Sequence, residues 1–207
     1  MLKLESFPVG PLGCNCSLLW NPETALGVVV DPGGEGGKIR RRVEALGFKV
    51  TALLHTHAHF DHVGATKELQ DLWQCPAHLH GEDTFLIEAL AQQTGMFGMP
   101  PIPRPEMAAL HAGDRHLALT TLHTPGHTPG SCCFHGAFEK GQVVLSGDTL
   151  FRGGVGRTDL WGGSWDQLEQ SIRRELYTLE DATLVIPGHG PATVLGEEAV
   201  GNPFVRR

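Results

Sequence analysis

The densest group of residues that could do chemistry follows the apolar run Val50–Leu54. It contains His57, His59, Asp61 and His62. Alternate residues of an extended chain share a face, so the first three can converge at the end of a strand, and His62 follows at the start of a helix. Imidazole nitrogens and a carboxylate held in fixed directions are ligands that borderline divalent cations prefer. The pattern therefore predicts a metal site.

Three later segments repeat the order of apolar strand, glycine-containing turn and donor residue. The donors are His127 in HTPGHTPG, Asp148 in SGDTLF and His189 in PGHG. Because ligand sites of open sheets lie at strand ends, these donors are predicted to join the first group. His55 and His123 lie beside the motifs, and we expect them to orient neighbouring imidazoles rather than to bind metal.

The elements that must position these donors are short strands and a few helices. Strands are predicted at Cys16–Trp20, Leu26–Val30, Val50–Leu54, Ala77–His80, Leu117–Leu122, Ser131–His135, Gln142–Ser146 and Thr183–Ile186. Apolar residues at helical spacing predict helices over 39–46, after Asp61, and from Ser164, where Ser164 and Gln167 are predicted to form a capping box. Sheets covered by helices in a layered α/β domain follow from this order.

Composition limits the classes of function. With 207 residues, 41% of them apolar, the chain can bury one core, and we expect a single domain over 1–207, with the proline-rich stretch Met99–Pro105 as a loop. A formal net charge of −7 disfavours nucleic-acid binding. The sequence contains no long apolar run that would predict a membrane span or a secretory signal. The five cysteines include closely spaced pairs that are poorly placed to bridge locally, so we expect a cytoplasmic protein.

Taken in order, the motifs resemble the metallo-β-lactamase superfamily, and more narrowly its glyoxalase II (hydroxyacylglutathione hydrolase) branch. The resemblance extends from the segment GPLGCN near the start of the chain to PGHG. It implies a four-layered αβ/βα sandwich with metals in a groove at one edge of two facing sheets. It also implies one metal on His57, His59 and His127, another on Asp61, His62 and His189, and Asp148 as the bridge between them.

The resemblance further implies a hydrolase with two divalent metal ions, for which zinc is the first expectation and iron or manganese also suit the donors. A bridging hydroxide would attack the carbonyl of a thioester resembling S-lactoylglutathione. The thiolate leaves without a strong general acid, because thiol pKa values are about 8.5. Asp61 and Asp148 would serve catalysis, and Arg157 would contact a substrate carboxylate through its planar fork.

Two features leave the substrate and the reaction open. Longer glyoxalase II enzymes continue into a helical domain that contributes much of the glutathione pocket, whereas only Pro191–Arg207 follow the PGHG motif. We therefore expect a short form that acts on a small-molecule thioester, with a glutathione conjugate as one candidate. The main alternative is a persulfide dioxygenase of the same fold, which shares the signature GRTD around Arg157 and would bind one Fe(II) through His57, His127 and Asp148. Lactamase and nuclease activities are disfavoured by the missing secretory signal and the acidic composition.

Overall fold

The computed structural model describes residues 2–207 and places most strands in two six-stranded sheets. The strands of the first sheet follow chain order: β1 Lys3–Val9, β2 Cys14–Asn21, β3 Leu26–Val30, β4 Lys49–Leu54, β5 Ala77–His80 and β6 Met107–Leu110. The pairs from β1 to β3 are antiparallel and those from β3 to β6 are parallel. The parallel half therefore directs the carboxyl ends of its strands to one edge.

The second sheet has the order β14-β13-β10-β9-β8-β7. Its strands are β7 Arg115–His116, β8 Leu119–His123, β9 Cys132–Phe138, β10 Gly141–Gly147, β13 Leu184–Pro187 and β14 Thr193–Val194. Only the pair β10 and β13 is parallel among the described pairs of this sheet. A small hairpin of β11 Leu150–Phe151 and β12 Gly154–Val155 follows β10.

Seven α-helices occur within residues 2–207. They are α1 Gly36–Leu46, α2 Phe60–Val63, α3 Thr66–Trp73, α4 Thr84–Glu88, α5 Leu90–Met96, α6 Trp165–Ser171 and α7 Leu195–Gly201. A 3-10 turn at Gly81–Asp83 precedes α4, and α6 continues into a π-helical turn at Ile172–Leu176. Within this described part of the chain, the helices are too short or too polar to cross a membrane.

Alternating burial along the strands separates the layers. Val28 and Val30 pack between the two sheets, whereas Val29 faces the layer that contains α1 and α3. In the second sheet Phe134 packs between the sheets, and Cys133 faces the layer of α6 and α7. This alternation is the period-two pattern of strands buried on both faces. The layers are therefore helix, sheet, sheet, helix, which confirms the four-layered αβ/βα sandwich.

The eight predicted strands are present, with ends that differ by a few residues. The largest shift is at the end of β9, which extends to Phe138 rather than ending at His135. Leu117 has a φ of 54° in the turn before β8 rather than lying in the strand. Strand β1 was not predicted, because five of its seven residues are only half-buried and its apolar pattern is weak. Met99–Pro105 has no regular structure, as expected for a loop.

Two helix predictions need correction. The single helix expected after Asp61 is divided into α2 and α3, because Gly64 packs against the carbonyl of Gly33 and the Ala65 N–H donates to Pro32 O (2.9 Å). The capping box at Ser164 is half formed. The Ser164 hydroxyl accepts a hydrogen bond from the Gln167 N–H (3.5 Å). The Ser164 N–H donates to Gly126 O (2.8 Å) and not to the Gln167 side chain.

Replacing Phe134 with alanine tests the core between the sheets. Phe134 is fully buried there, so we expect the free energy of unfolding to fall by about 3–5 kcal/mol in urea titrations. Phe204→Ala is the control, because that ring is 58% exposed and its loss should cost less than about 0.5 kcal/mol. Equal losses in the two variants would contradict the assignment of Phe134 to the core.

Candidate metal centre

The seven predicted donors meet at one edge of the sandwich. His57 and His59 follow the end of β4, and α2 carries Asp61 and His62. The other three follow strands of the second sheet: His127 after β8, Asp148 after β10 and His189 after β13. The site is thus assembled from the strand ends of both sheets.

His57, His59 and His127 form a first group, with one ring nitrogen of each within 4.8 Å of the others. The His127 Nδ1–H donates to Arg157 O (2.7 Å), which leaves a lone pair on Nε2, and this atom lies 2.9 Å from His59 Nδ1. Thr56 Oγ1 lies 3.1 Å from His57 Nδ1 and itself donates to Asp31, so His57 also presents its Nε2 lone pair. We call these three residues the histidine triad.

Asp61, His62 and His189 form a second group, the mixed triad. His62 Nδ1–H donates to Asp31 Oδ2 (3.0 Å) and His189 Nδ1–H donates to Leu12 O (3.1 Å). Their Nε2 lone pairs therefore face each other at 3.2 Å, and Asp61 Oδ2 lies 3.1 Å from the same His189 atom. Two Nε2 atoms at this distance repel one another unless a proton or a metal cation lies between them.

Asp148 stands between the two triads. Its Oδ2 lies 3.6 Å from His127 Nε2, and its Oδ1 lies 3.5 Å from His62 Nε2 and 3.8 Å from His189 Nε2. Within residues 2–207, Asp148 Oδ1 and His57 Nε2 are buried without a hydrogen-bond partner. Buried polar atoms seldom remain unpaired, so these two atoms and the facing lone pairs fit a pair of divalent cations.

The surroundings hold the imidazoles of the histidine triad neutral. Burial, together with neighbouring imidazoles, lowers the pKa of His57 well below its usual value and that of His59 to about 3. Burial also lowers the pKa of His127. Burial alone would raise the pKa of Asp61, but the neighbouring rings of His62 and His189 hold it below its usual value. Neutral imidazole and ionised carboxylate are the forms that bind metal ions.

Two residues that orient the donors were not identified from the sequence. Asp31 accepts hydrogen bonds from the Thr56 N–H (2.8 Å), the Thr56 hydroxyl (2.7 Å) and His62 Nδ1–H. It directly follows the apolar run Leu26–Val30, which is the same strand-then-donor pattern that identified Asp148. Asn15 was recognised only as part of a motif, and its side-chain amide donates to Pro187 O and Gly190 O (both 2.9 Å), which holds the turn carrying His189.

His55 and His123 lie outside the donor cluster. His55 Nδ1–H donates to His78 O (3.0 Å) and Nε2 accepts from the Thr66 hydroxyl (2.8 Å), so both ring nitrogens are used. His123 Nε2 bonds to Pro129 O (2.9 Å) in the loop that carries His127. Both residues support the segments next to the donors, but these hydrogen bonds do not reach the donor imidazoles that they were expected to orient.

A cleft of about 300 Å³ opens above the triads. Six apolar side chains line it: Leu12, Phe60, Met96, Phe97, Leu160 and Trp161. Arg157 also lines the cleft, but its Nε and Nη2 donate to the two carboxylate oxygens of Asp159 (2.7 and 2.8 Å). The cleft therefore combines a polar floor with apolar walls and one arginine whose fork already has a partner.

Relatives of known sequence match almost the whole chain. The chain is 40% identical to "Probable metallo-hydrolase YqgX" of Bacillus subtilis, over 99% of this chain and 98% of that protein. It is 38% identical to "Hydroxyacylglutathione hydrolase GloC" of Haemophilus influenzae, over 99% of this chain and 98% of that protein.

Solved structures share the fold. A di-iron-bound form of TTHA1623 superposes with a TM-score of 0.88 at 39% identity, over 97% of this chain and all of that one. BLEG-1, described as a B3 metallo-β-lactamase, has a TM-score of 0.88 at 33% identity, over 98% and 99% of the two chains. ETHE1 from Myxococcus xanthus has a TM-score of 0.75 at 26% identity, over 97% and 83%. Residues 9–189 match the profile of the Metallo-beta-lactamase superfamily, and the chain belongs to that superfamily.

Proposed function

We propose that the chain is a binuclear metal-dependent thioester hydrolase of the hydroxyacylglutathione hydrolase type. The observation that carries this proposal is Asp148, whose two carboxylate oxygens face different triads. Each triad would then supply three donors to its own metal, and Asp148 would be shared by both. Similarity to GloC over nearly the full length of both chains supports the same class of activity.

Divalent metals bound here would ionise a water molecule and polarise the carbonyl of the thioester. The chain's own residues prepare for that chemistry. Asp61 and Asp148 supply only two carboxylates to two divalent ions, and imidazoles are neutral ligands, so the charge of the loaded centre would not be fully neutralised. The apolar side chains of the cleft walls would lie against the acyl group of a bound thioester. Zinc is the first expectation for both positions, and iron or manganese suit the same donors.

Arg157 is the proposed contact for a carboxylate of the substrate. It lies at the cleft, and its backbone carbonyl accepts the hydrogen bond from His127. The bidentate pair with Asp159 competes with a substrate anion for the same fork. We infer that Asp159 weakens the capture of anionic thioesters by this arginine.

The alternative is a mononuclear persulfide dioxygenase, which would bind one Fe(II) through His57, His127 and Asp148. The GRTD segment around Arg157 and the likeness to ETHE1 favour it. The mixed triad favours two metals instead. A single iron bound by His57, His127 and Asp148 would leave the Nε2 atoms of His62 and His189 facing each other without a metal between them.

We further propose a cytoplasmic location. The five cysteines are buried and do not form disulfides, as is usual for proteins of a reducing compartment.

A substrate panel separates the two reactions. We expect purified protein with two bound metals to hydrolyse S-lactoylglutathione or another thioester, followed as thiol release with a chromogenic disulfide. No oxygen uptake should occur with glutathione persulfide in an oxygen electrode. One bound iron, together with oxygen uptake on glutathione persulfide and no thiol release from any thioester, would overturn the proposal in favour of the dioxygenase.

Replacing Asp148 with alanine tests the shared carboxylate. We expect metal content after dialysis, measured by mass spectrometry, to fall from two equivalents toward zero, and hydrolysis to fall to background. Asp71→Ala, which removes an exposed carboxylate paired with Lys67 on α3, is the control and should keep both metals. A fully active Asp148→Ala variant would remove this residue from the centre.

Opposite changes are expected at Arg157 and Asp159. Arg157→Ala should raise KM for an anionic thioester with little change in kcat, because a contact outside the reacting bond is lost. Asp159→Asn should lower that KM, because it frees the guanidinium fork. Steady-state kinetics with an anionic and an uncharged thioester measure both effects. An unchanged KM in both variants would exclude this pair from the substrate site.

A further inference from the structure

Asp83 is a buried carboxylate that the proposed reaction does not use. It ends the 3-10 turn Gly81–Asp83 and is fully shielded from solvent. Burial raises its pKa to about 6, against the opposing effect of hydrogen bonds from Thr128, Gly130 and Ala58. Burying a carboxylate is costly, so its three hydrogen bonds must offset a large loss of hydration.

These hydrogen bonds come from two different segments. Asp83 Oδ2 accepts from the Ala58 N–H (3.0 Å) and from the Thr128 hydroxyl (2.8 Å), and Oδ1 accepts from the Gly130 N–H (2.7 Å). Ala58 lies between His57 and His59. Thr128 directly follows His127. One carboxylate therefore joins the two segments that carry the whole histidine triad.

The surrounding contacts make this connection rigid. A Cβ on Gly130 would lie 2.7 Å from Asp83 Cγ, so the carboxylate packs directly against the backbone of this loop. Gln93 holds the other side of the Ala58 peptide, since its Nε2 donates to Ala58 O (3.2 Å) and its Oε1 accepts from the Phe60 N–H (2.9 Å). The segment between His57 and Phe60 is thus fixed from both sides.

We propose that Asp83 is a positioning residue that sets the distance between the His57–His59 segment and the His127 loop, and thereby the affinity of the histidine triad for its metal. This inference rests on the metal centre of the proposed function, but not on the thioester as substrate. Partners that orient metal ligands typically change metal affinity by about 10–100-fold when they are removed.

The test is Asp83→Asn, which has nearly the same shape. One carboxylate oxygen becomes an NH2 group that must face an N–H or hydroxyl donor, so at least one of the three hydrogen bonds is lost. We expect one of the two metals to dissociate at about 10–100-fold lower concentration of a competing chelator, and the visible spectrum of the cobalt-substituted protein to change at one site. Circular dichroism and urea unfolding of the metal-free protein show whether the variant folds.

Two matched variants of Thr128 leave the Asp83 carboxylate in place and change only one of its hydrogen-bond donors. Thr128→Val removes one donor at nearly constant volume and should weaken the same metal, whereas Thr128→Ser keeps the hydroxyl and should restore the affinity. This pair also decides the matter if Asp83→Asn does not fold. Asp71→Asn serves as the exposed control.

The outcomes separate this inference from the proposed function. A folded Asp83→Asn protein with wild-type affinity for both metals overturns the positioning role. So does a Thr128→Val variant whose metal affinity equals that of Thr128→Ser. Wild-type protein that binds two metals but hydrolyses no thioester overturns the proposed function and leaves the positioning role intact. Wild-type protein that binds no metal removes the centre itself, and with it both proposals.

Discussion

The ring nitrogens of five histidines face one another at the edge of the sandwich, and this arrangement constrains the hydrogen bonds that the surrounding residues must make. Four of the five imidazoles present Nε2 to the centre because Nδ1 has a partner elsewhere, and these partners lie on separate parts of the chain. His59 instead faces the centre with Nδ1. Asp31 serves His62, the Leu12 carbonyl serves His189, and the Arg157 carbonyl serves His127. The centre therefore depends on both sheets and on the loops between them, not on the donor motifs alone.

Buried carboxylates supply much of this orientation. Asp31 has a φ of 50°, a left-handed conformation that costs a residue with a side chain about 1–2 kcal/mol. Its three hydrogen bonds to Thr56 and His62 offset that cost and hold the segment before His57 in place. Asp83 has the corresponding position on the other side of the same segment. The segment between β4 and α2 is thus fixed by acceptors from two loops that are distant in sequence.

Local patterns were enough to predict most strands and the cluster of seven donors. Apolar runs such as Leu26–Val30 and Gln142–Ser146 are recognisable because strands buried on both faces carry continuous apolar residues. Helices α4 and α5 were not predicted, since each is at most seven residues long and shows too few turns for a helical period to be recognised. Helix α5 nevertheless supplies Gln93 and Met96, which line the cleft. The walls of the cleft were therefore less predictable than its floor.

The sequence by itself determined which residues could bind metal, because imidazoles and carboxylates after apolar strands can be read from residue type and spacing. Only the tertiary structure decided how they are oriented and what supports them. Asp83 has no distinctive neighbours in the sequence, and its hydrogen bonds reach residues 25, 45 and 47 positions away. The sequence also did not predict that the guanidinium of Arg157 is paired with the carboxylate of Asp159. Such contacts depend on how separate segments pack, which no local pattern records.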